Sequence, residues 1–134
     1  MKVVLFSTLS LMVLAVSNEA VAADPCGTQF AKRDSAQISR LLSNNTVCTS
    51  DSQEQHLSNG ELWDYKKGPS DLIDPTSKVG TWSVSNDQVQ YNYGDVAYKN
   101  DVYTDNLGSK PNVCFYNGTT AVSGTIINGI KGCQ

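Results

Sequence analysis

Catalysis by an unperturbed imidazole would have to use His56, because the chain contains one histidine and no other side chain ordinarily titrates near neutral pH. A Ser-His-Asp or Cys-His catalyst also needs a nucleophile beside that imidazole. The G-x-S-x-G nucleophile motif does not occur in the chain, and the residues between Thr49 and Gly60 are mostly polar. We therefore expect His56 to lie in a solvated surface loop, and we assign no catalytic residue.

Several aspartates near predicted turns and strand ends are candidates for carboxylate chemistry: Asp71, Asp74, Asp95, Asp101 and Asp105. Paired carboxylates can catalyse glycoside hydrolysis, and several carboxylate oxygens in a flexible loop can bind calcium. The EF-hand spacing is absent, and aspartate is common in turns because it accepts hydrogen bonds from the local backbone. We expect these turn roles and predict no metal site. A carboxylate-based periplasmic hydrolase is the alternative function.

The aromatic residues are the strongest candidates for ligand binding, since both tryptophans and all six tyrosines lie in segments predicted as strands. Tyrosine combines an apolar ring with a hydroxyl, which suits a partly hydrated pocket, and an aromatic-lined barrel can hold a small ligand. Ordinary core packing is the alternative role of these side chains. The residues that we expect to bind a ligand are Trp63, Tyr65, Trp82, Tyr91 and Tyr93.

The first 22 residues have the three-part pattern of a secretory signal. Lys2 is positive, Val3 to Val16 is almost wholly apolar, and Ala20 and Ala22 occupy the positions that a signal peptidase reads. The apolar run is too short to span a bilayer comfortably. We therefore predict a signal peptide over 1–22, a single β-rich domain over 23–134, and a secreted or periplasmic location.

All four cysteines follow the predicted cleavage point: Cys26, Cys48, Cys114 and Cys133. They contain no C-x-x-C pair, so we expect two disulfide bonds, as is common in small exported domains. Four cysteines allow three pairings, and the sequence does not choose among them. Both methionines lie in the signal segment and only one histidine is present, which excludes the usual haem and copper ligand sets. We predict no cofactor.

The charge pattern argues against nucleic acid as a partner. The formal net charge is −3, and the only adjacent basic pairs are Lys32-Arg33 and Lys66-Lys67. Non-specific nucleic-acid affinity needs clustered cations, and an acidic chain is not attracted to anionic lipid. We expect neither nucleic-acid binding nor a stable membrane anchor.

A short helix is predicted after Asp34. Asp34 is a good N-cap, and Gln37 three residues later completes a capping box. Ile38, Leu41 and Leu42 then recur at helical spacing and form one apolar stripe. A helix this short needs a partner surface.

The remainder of the chain reads as an antiparallel β-meander. The clearest run is Val89 to Tyr93, in which Val89, Tyr91 and Tyr93 share one face. Turn dipeptides such as Asn117-Gly118 separate the runs. The predicted strands are 61–67, 78–85, 89–93, 96–104, 113–116 and 122–130. We predict a mostly β fold in which this meander curls into a small barrel, a small sandwich being the alternative.

Two stretches resemble known families. Leu41–Cys48 (LLSNNTVC) and Gly80–Val84 (GTWSV) resemble small, mostly uncharacterised exported bacterial proteins with an LLSxNTV…GTWSV pattern, a likeness that implies a fold rather than an activity. Gly80-Thr81-Trp82 also resembles the G-x-W of lipocalin-like and avidin-like barrels. In those families the motif lies on the first barrel strand, whereas here it follows a helix and a predicted strand.

These observations together predict an exported, non-enzymatic binding module with a lipocalin-like barrel and a short N-terminal helix. Its partner would be a small apolar or aromatic ligand, or a protein. A surface or inhibitor protein is a further alternative, because small periplasmic inhibitors of lysozyme or proteases are similar in size and compartment.

Overall fold

The computed structural model describes residues 24–64 and 77–133. The predicted signal peptide, Tyr65, Asp71 and Asp74 lie outside the described residues. These described residues contain one helix and nine strands, in this order: β1 (Ala31–Lys32), α1 (Ser35–Leu42), β2 (Asn45–Cys48), β3 (Gln53–His56), β4 (Glu61–Asp64), β5 (Ser77–Ser85), β6 (Gln88–Tyr93), β7 (Val96–Thr104), β8 (Asn112–Tyr116) and β9 (Ala121–Asn128).

The strands form a closed antiparallel barrel, as the sequence predicts. Each strand from β2 to β9 pairs with the next one along the chain, and β9 returns to pair with β2 through Val47 opposite Ile126. Strand β1 adds two residues to one end of β7. Closure leaves no unpaired edge between the barrel strands, which protects a β protein from edge-to-edge aggregation.

Helix α1 packs across one end of the barrel. Its capping box is formed, with Asp34 Oδ1 accepting from the Gln37 amide at 2.8 Å and Gln37 Oε1 accepting from the Asp34 amide at 3.1 Å. The apolar stripe of Ile38, Leu41 and Leu42 is buried in the same core as the inward strand residues. Because the helix contacts β2, β5 and β6, it closes the end at which β5 turns into β6.

The prediction of a surface loop between Thr49 and Gly60 is wrong. This segment contains β3, in which Gln53, Gln55 and His56 are buried. The two glutamines lie on the outward side of the barrel, and Gln53 Oε1 accepts a hydrogen bond from the Cys133 amide. The C-terminal segment therefore covers a polar strand whose amino-acid composition, taken alone, is typical of a loop.

Two disulfides fasten both terminal segments to the outside of the barrel. Cys26 is bonded to Cys114 on β8, and Cys48 on β2 is bonded to Cys133. The two predicted disulfides are therefore present, and the structure supplies their pairing. They close loops with sequence separations of 88 and 85 residues, which reduces the conformational entropy of the unfolded chain substantially.

Candidate functional site

The barrel interior divides into a packed half and a hollow half. Towards α1, buried apolar residues such as Leu62, Val89 and Val102 fill the interior. Towards the opposite end lies a cavity of about 280 Å³. Thr49 and Ser52 flank it where β2 turns into β3, and Tyr93 lines it at the end of β6. The cavity thus opens at the barrel mouth, away from the helix.

Four aromatic rings form one wall of this cavity. Tyr91 and Tyr93 are stacked with ring centroids 6.2 Å apart. Tyr98 meets the edge of Tyr93 at 6.0 Å, and Phe115 meets Tyr91 at 6.1 Å. These spacings are those of favourable offset-stacked and edge-to-face aromatic pairs, so the wall is preorganised and apolar. Val47 and Val122 extend it.

Apolar side chains are exposed at the mouth. Val96, Tyr98 and Val122 each expose 48% of their surface. Tyr98 and Val122 line the cavity, and Val96 is the strand partner of Tyr93. An exposed apolar patch around a cavity is typical of a binding site.

A carboxylate faces this aromatic wall. Glu54 lies on β3 and lines the cavity, and the Tyr93 hydroxyl donates a 2.7 Å hydrogen bond to its Oε1. Withdrawal from solvent raises the pKa of Glu54, the Tyr93 hydrogen bond lowers it, and the nearby Asp64 carboxyl raises it. Asp64 stands directly opposite Glu54 on β4. Burial and the Glu54 charge raise the pKa of Tyr93, so its hydroxyl keeps its proton.

His56 lies beneath the cavity floor and is fully buried, so the predicted solvated position is wrong. Its Nδ1 lies 3.1 Å from the Glu54 carbonyl oxygen and its Nε2 lies 2.9 Å from the Tyr91 hydroxyl. Because a carbonyl can only accept, Nδ1 carries the proton and Nε2 accepts from Tyr91. Burial lowers the pKa of His56 to about 4. The imidazole is therefore neutral near pH 7 and serves to orient Tyr91.

The predicted ligand-binding residues separate into different environments. Tyr91 and Tyr93 line the cavity. Trp82 packs in the core against His56, with ring centroids 5.4 Å apart, and its Nε1 donates to the Leu57 carbonyl oxygen at 3.0 Å.

Trp63 lies on the outside of the barrel and does not line the cavity. Its Nε1 donates to Glu61 Oε2 at 3.0 Å. The inward position on β4 is taken by Leu62, which is fully buried. An irregular register between Leu62 and Trp63 accompanies this arrangement. Tyr65 lies outside the described residues.

The sequence does not point to Glu54, because the polar run Gln53–His56 has the composition of a loop. The available signal is the alternation of side chains along a strand. Glu54 and His56 are two residues apart, so in a strand both side chains lie on the same face. A strand made only of polar residues gives no hydrophobic pattern, so this signal is weak. Phe115, which lies in a predicted strand, also lines the cavity without being among the predicted ligand-binding residues.

The aspartates considered for carboxylate chemistry do not converge where the structure describes them. Asp95 lies exposed between β6 and β7, and Asp101 forms a 3.0 Å salt bridge with Lys32. Asp105 accepts from the Asn112 amide at 2.9 Å. Within residues 24–64 and 77–133, no group of three or more metal-ligating side chains is found.

Comparisons with protein-family models, curated proteins and solved structures found no match. Among the described residues, no helix is long and apolar enough to cross a membrane.

Proposed function

We propose that this protein is an exported small-molecule binding protein whose ligand enters the open end of the barrel. The supporting observation is that the tyrosine face is not filled by the protein's own core, which leaves a cavity of about 280 Å³. An engineered protein cavity of about 150 Å³ with aliphatic and aromatic walls is large enough to bind benzene. The space here therefore suits a ligand with one or two rings, or a short aliphatic chain.

The exported location is part of this proposal. The two disulfide bonds indicate an oxidising environment. The predicted signal peptide over 1–22 would direct the chain there. In such a compartment a barrel closed by α1 at one end and open at the other would collect or deliver a small molecule.

Binding is favoured over His56-based catalysis by the position of the imidazole. His56 lies beneath Tyr91, is fully buried and has both ring nitrogens in hydrogen bonds. A general base must come within hydrogen-bond reach of the substrate proton. The Tyr91 side chain separates this imidazole from the cavity.

The proposal is tested by filling the cavity. The variant Val122→Trp places a large ring at the mouth. The control Ser123→Trp places the same ring on the next residue of β9, whose side chain points to the outside of the barrel because successive strand residues face opposite sides. Isothermal titration calorimetry with a panel of neutral and charged one-ring compounds would give Kd values. We expect wild type and Ser123→Trp to bind members of the panel and Val122→Trp to lose binding. The proposal is refuted if no compound binds, or if both variants behave alike.

A carboxylate-based hydrolase is the second candidate, and the Glu54–Asp64 pair supports it. The two residues are direct cross-strand partners, so their side chains project from the same face of the sheet. Carboxyl groups of retaining glycosidases are about 5–5.5 Å apart. Hydrolysis of a nitrophenyl glycoside that disappears in both Glu54→Gln and Asp64→Asn would establish this alternative. Binding without hydrolysis in the wild type would exclude it for those substrates.

A further inference from the structure

We propose that the ligand is a small organic amine, bound as its ammonium ion by Glu54, with its apolar or aromatic body against the tyrosine wall. This inference rests on the proposed function, since it assigns a ligand class to the same cavity. Three features support it: the position of the carboxylate, the charge of the lining and the nature of the facing rings.

Glu54 is placed as the polar anchor of an otherwise largely apolar site. Its carboxylate lines the cavity, and Tyr93 donates to one of its oxygens at 2.7 Å. An ionised carboxylate has about four acceptor positions on its two oxygens, so one tyrosine hydroxyl does not use its capacity. Tyr93 holds the carboxylate in a fixed orientation while leaving it able to accept from an ammonium N–H.

Glu54 gives the cavity a negative charge, and none of the described residues that line the cavity is positively charged. Lys32 and Lys78 form their salt bridges with Asp101 and Glu61. Charges withdrawn from water are normally paired, and a ligand ammonium would supply the counter-charge at Glu54. The same charge repels carboxylate ligands.

The rings facing Glu54 suit a cation with an organic body. Tyr91, Tyr93 and Tyr98 form consecutive stacked and edge-to-face contacts along one wall. Tyrosine faces attract ammonium groups through the ring quadrupole, and the attraction grows when the cation leaves water. Phe115 and Val47 offer only apolar surface, so they suit the body of the ligand rather than its charge.

The test compares three probes that share a ring and differ in charge: 2-phenylethylamine, 2-phenylethanol and phenylacetate. Kd values are measured by isothermal titration calorimetry on the full mature protein with both disulfides intact. A charge-assisted hydrogen bond predicts that the amine binds about ten- to a hundredfold more tightly than the alcohol. Phenylacetate is expected to bind more weakly than either.

The variant Glu54→Gln tests whether Glu54 causes this preference. We expect the amine-to-alcohol affinity ratio to fall to within about threefold of unity while alcohol binding persists. Glu61→Gln is the matched control, because Glu61 lies on β4 outside the barrel and is paired with Lys78. It should keep the wild-type ratio. Near-UV circular dichroism establishes that both variants are folded.

A second measurement is the pH dependence of binding, made first on the wild type and then on Glu54→Gln. The groups facing Glu54 are Asp64 on β4, Tyr91 and Tyr93 on β6, and His56 on β3. Burial raises the pKa of both tyrosines, and that of His56 is lowered to about 4. Amine affinity should therefore fall as pH decreases through the raised pKa of Glu54, while alcohol affinity stays constant. Loss of this fall in Glu54→Gln assigns it to Glu54 rather than Asp64.

The outcomes separate the two proposals. If none of the probes binds and the wider panel also fails, the proposed function itself is overturned. If the alcohol binds as tightly as the amine, the cavity binds small molecules and the amine assignment is overturned. An amine preference that is unchanged in Glu54→Gln also overturns the role of Glu54.

Discussion

Protonation of His56 should destabilise the fold, because the imidazole is fully buried and the charged ring cannot keep its present hydrogen bonds. As a neutral ring, His56 donates from Nδ1 to the Glu54 carbonyl oxygen and accepts at Nε2 from Tyr91. In the imidazolium ion both nitrogens are donors, so the Tyr91 hydroxyl would have to turn its proton away from Nε2 and accept instead. Burial thus lowers the pKa of His56 from 6.5 to about 4.

The sign and size of the effect follow from proton linkage. The unfolded chain binds a proton at His56 with a pKa of 6.5 and the folded chain with a pKa of about 4. Between these values the unfolded state carries more protons, so stability falls as pH decreases. The stabilisation is fully present above the unfolded pKa, and about 2 kcal/mol is lost between about pH 7 and pH 5.

Urea unfolding of the wild type and of His56→Gln, with both disulfides intact, measures this loss. Other groups also titrate, and the raised pKa of Glu54 has the opposite effect, since it favours the folded state as pH falls. The difference between the two proteins removes such shared contributions. We expect this difference in unfolding free energy to decrease by about 2 kcal/mol from about pH 7 to pH 5.

The single histidine also permits a direct check by nuclear magnetic resonance. Its ring proton signal in the folded protein should show little titration above pH 5, with a midpoint near 4. A midpoint near 6.5, or parallel stability curves for wild type and His56→Gln, would refute the buried neutral imidazole.

Three further variants test other parts of the structure. Tyr91→Phe leaves the buried imidazole nitrogen without its hydroxyl partner and should lower the unfolding free energy by about 1–3 kcal/mol, as measured by urea titration. Gly80→Ala places a methyl group where it overlaps the Asn92 carbonyl oxygen on β6, so we expect a loss of at least about 1 kcal/mol in the same assay; an unchanged midpoint would contradict this packing. Replacing Cys48 and Cys133 by serine opens a loop of sequence separation 85 and should cost about 2–5 kcal/mol, seen as a lower Tm; an unaltered Tm would count against this pairing.

Elements with a strong local pattern were predictable. The capping box of Asp34 and Gln37 formed as expected because its donors and acceptors lie within one helical turn. Val89, Tyr91 and Tyr93 face inward because alternate residues of a strand share one face. In each case the residues that determine the structure are neighbours in the sequence.

Strand β3 shows where this reasoning fails. Gln53–His56 has no apolar residue, so its local composition favours a loop. It becomes a strand because β2 and β4 pair with it on both sides, and because the C-terminal segment covers its outward glutamine Gln53. Tertiary contacts therefore override local preference, and they bring Glu54 into the cavity with them.

The amino-acid sequence by itself determined the mostly β class, the short capped helix, the presence of two disulfides and the inward face of β6. These properties depend on residue type and on spacings of a few residues. Only the tertiary structure decided the cysteine pairing, the closure of β9 onto β2, the outward position of Trp63 and the hollow half of the barrel. Pairings such as Val47 with Ile126 and Tyr93 with Glu54 join residues far apart in the chain. Such contacts depend on how all the strands fit together, because a cavity is the space that packing leaves unfilled.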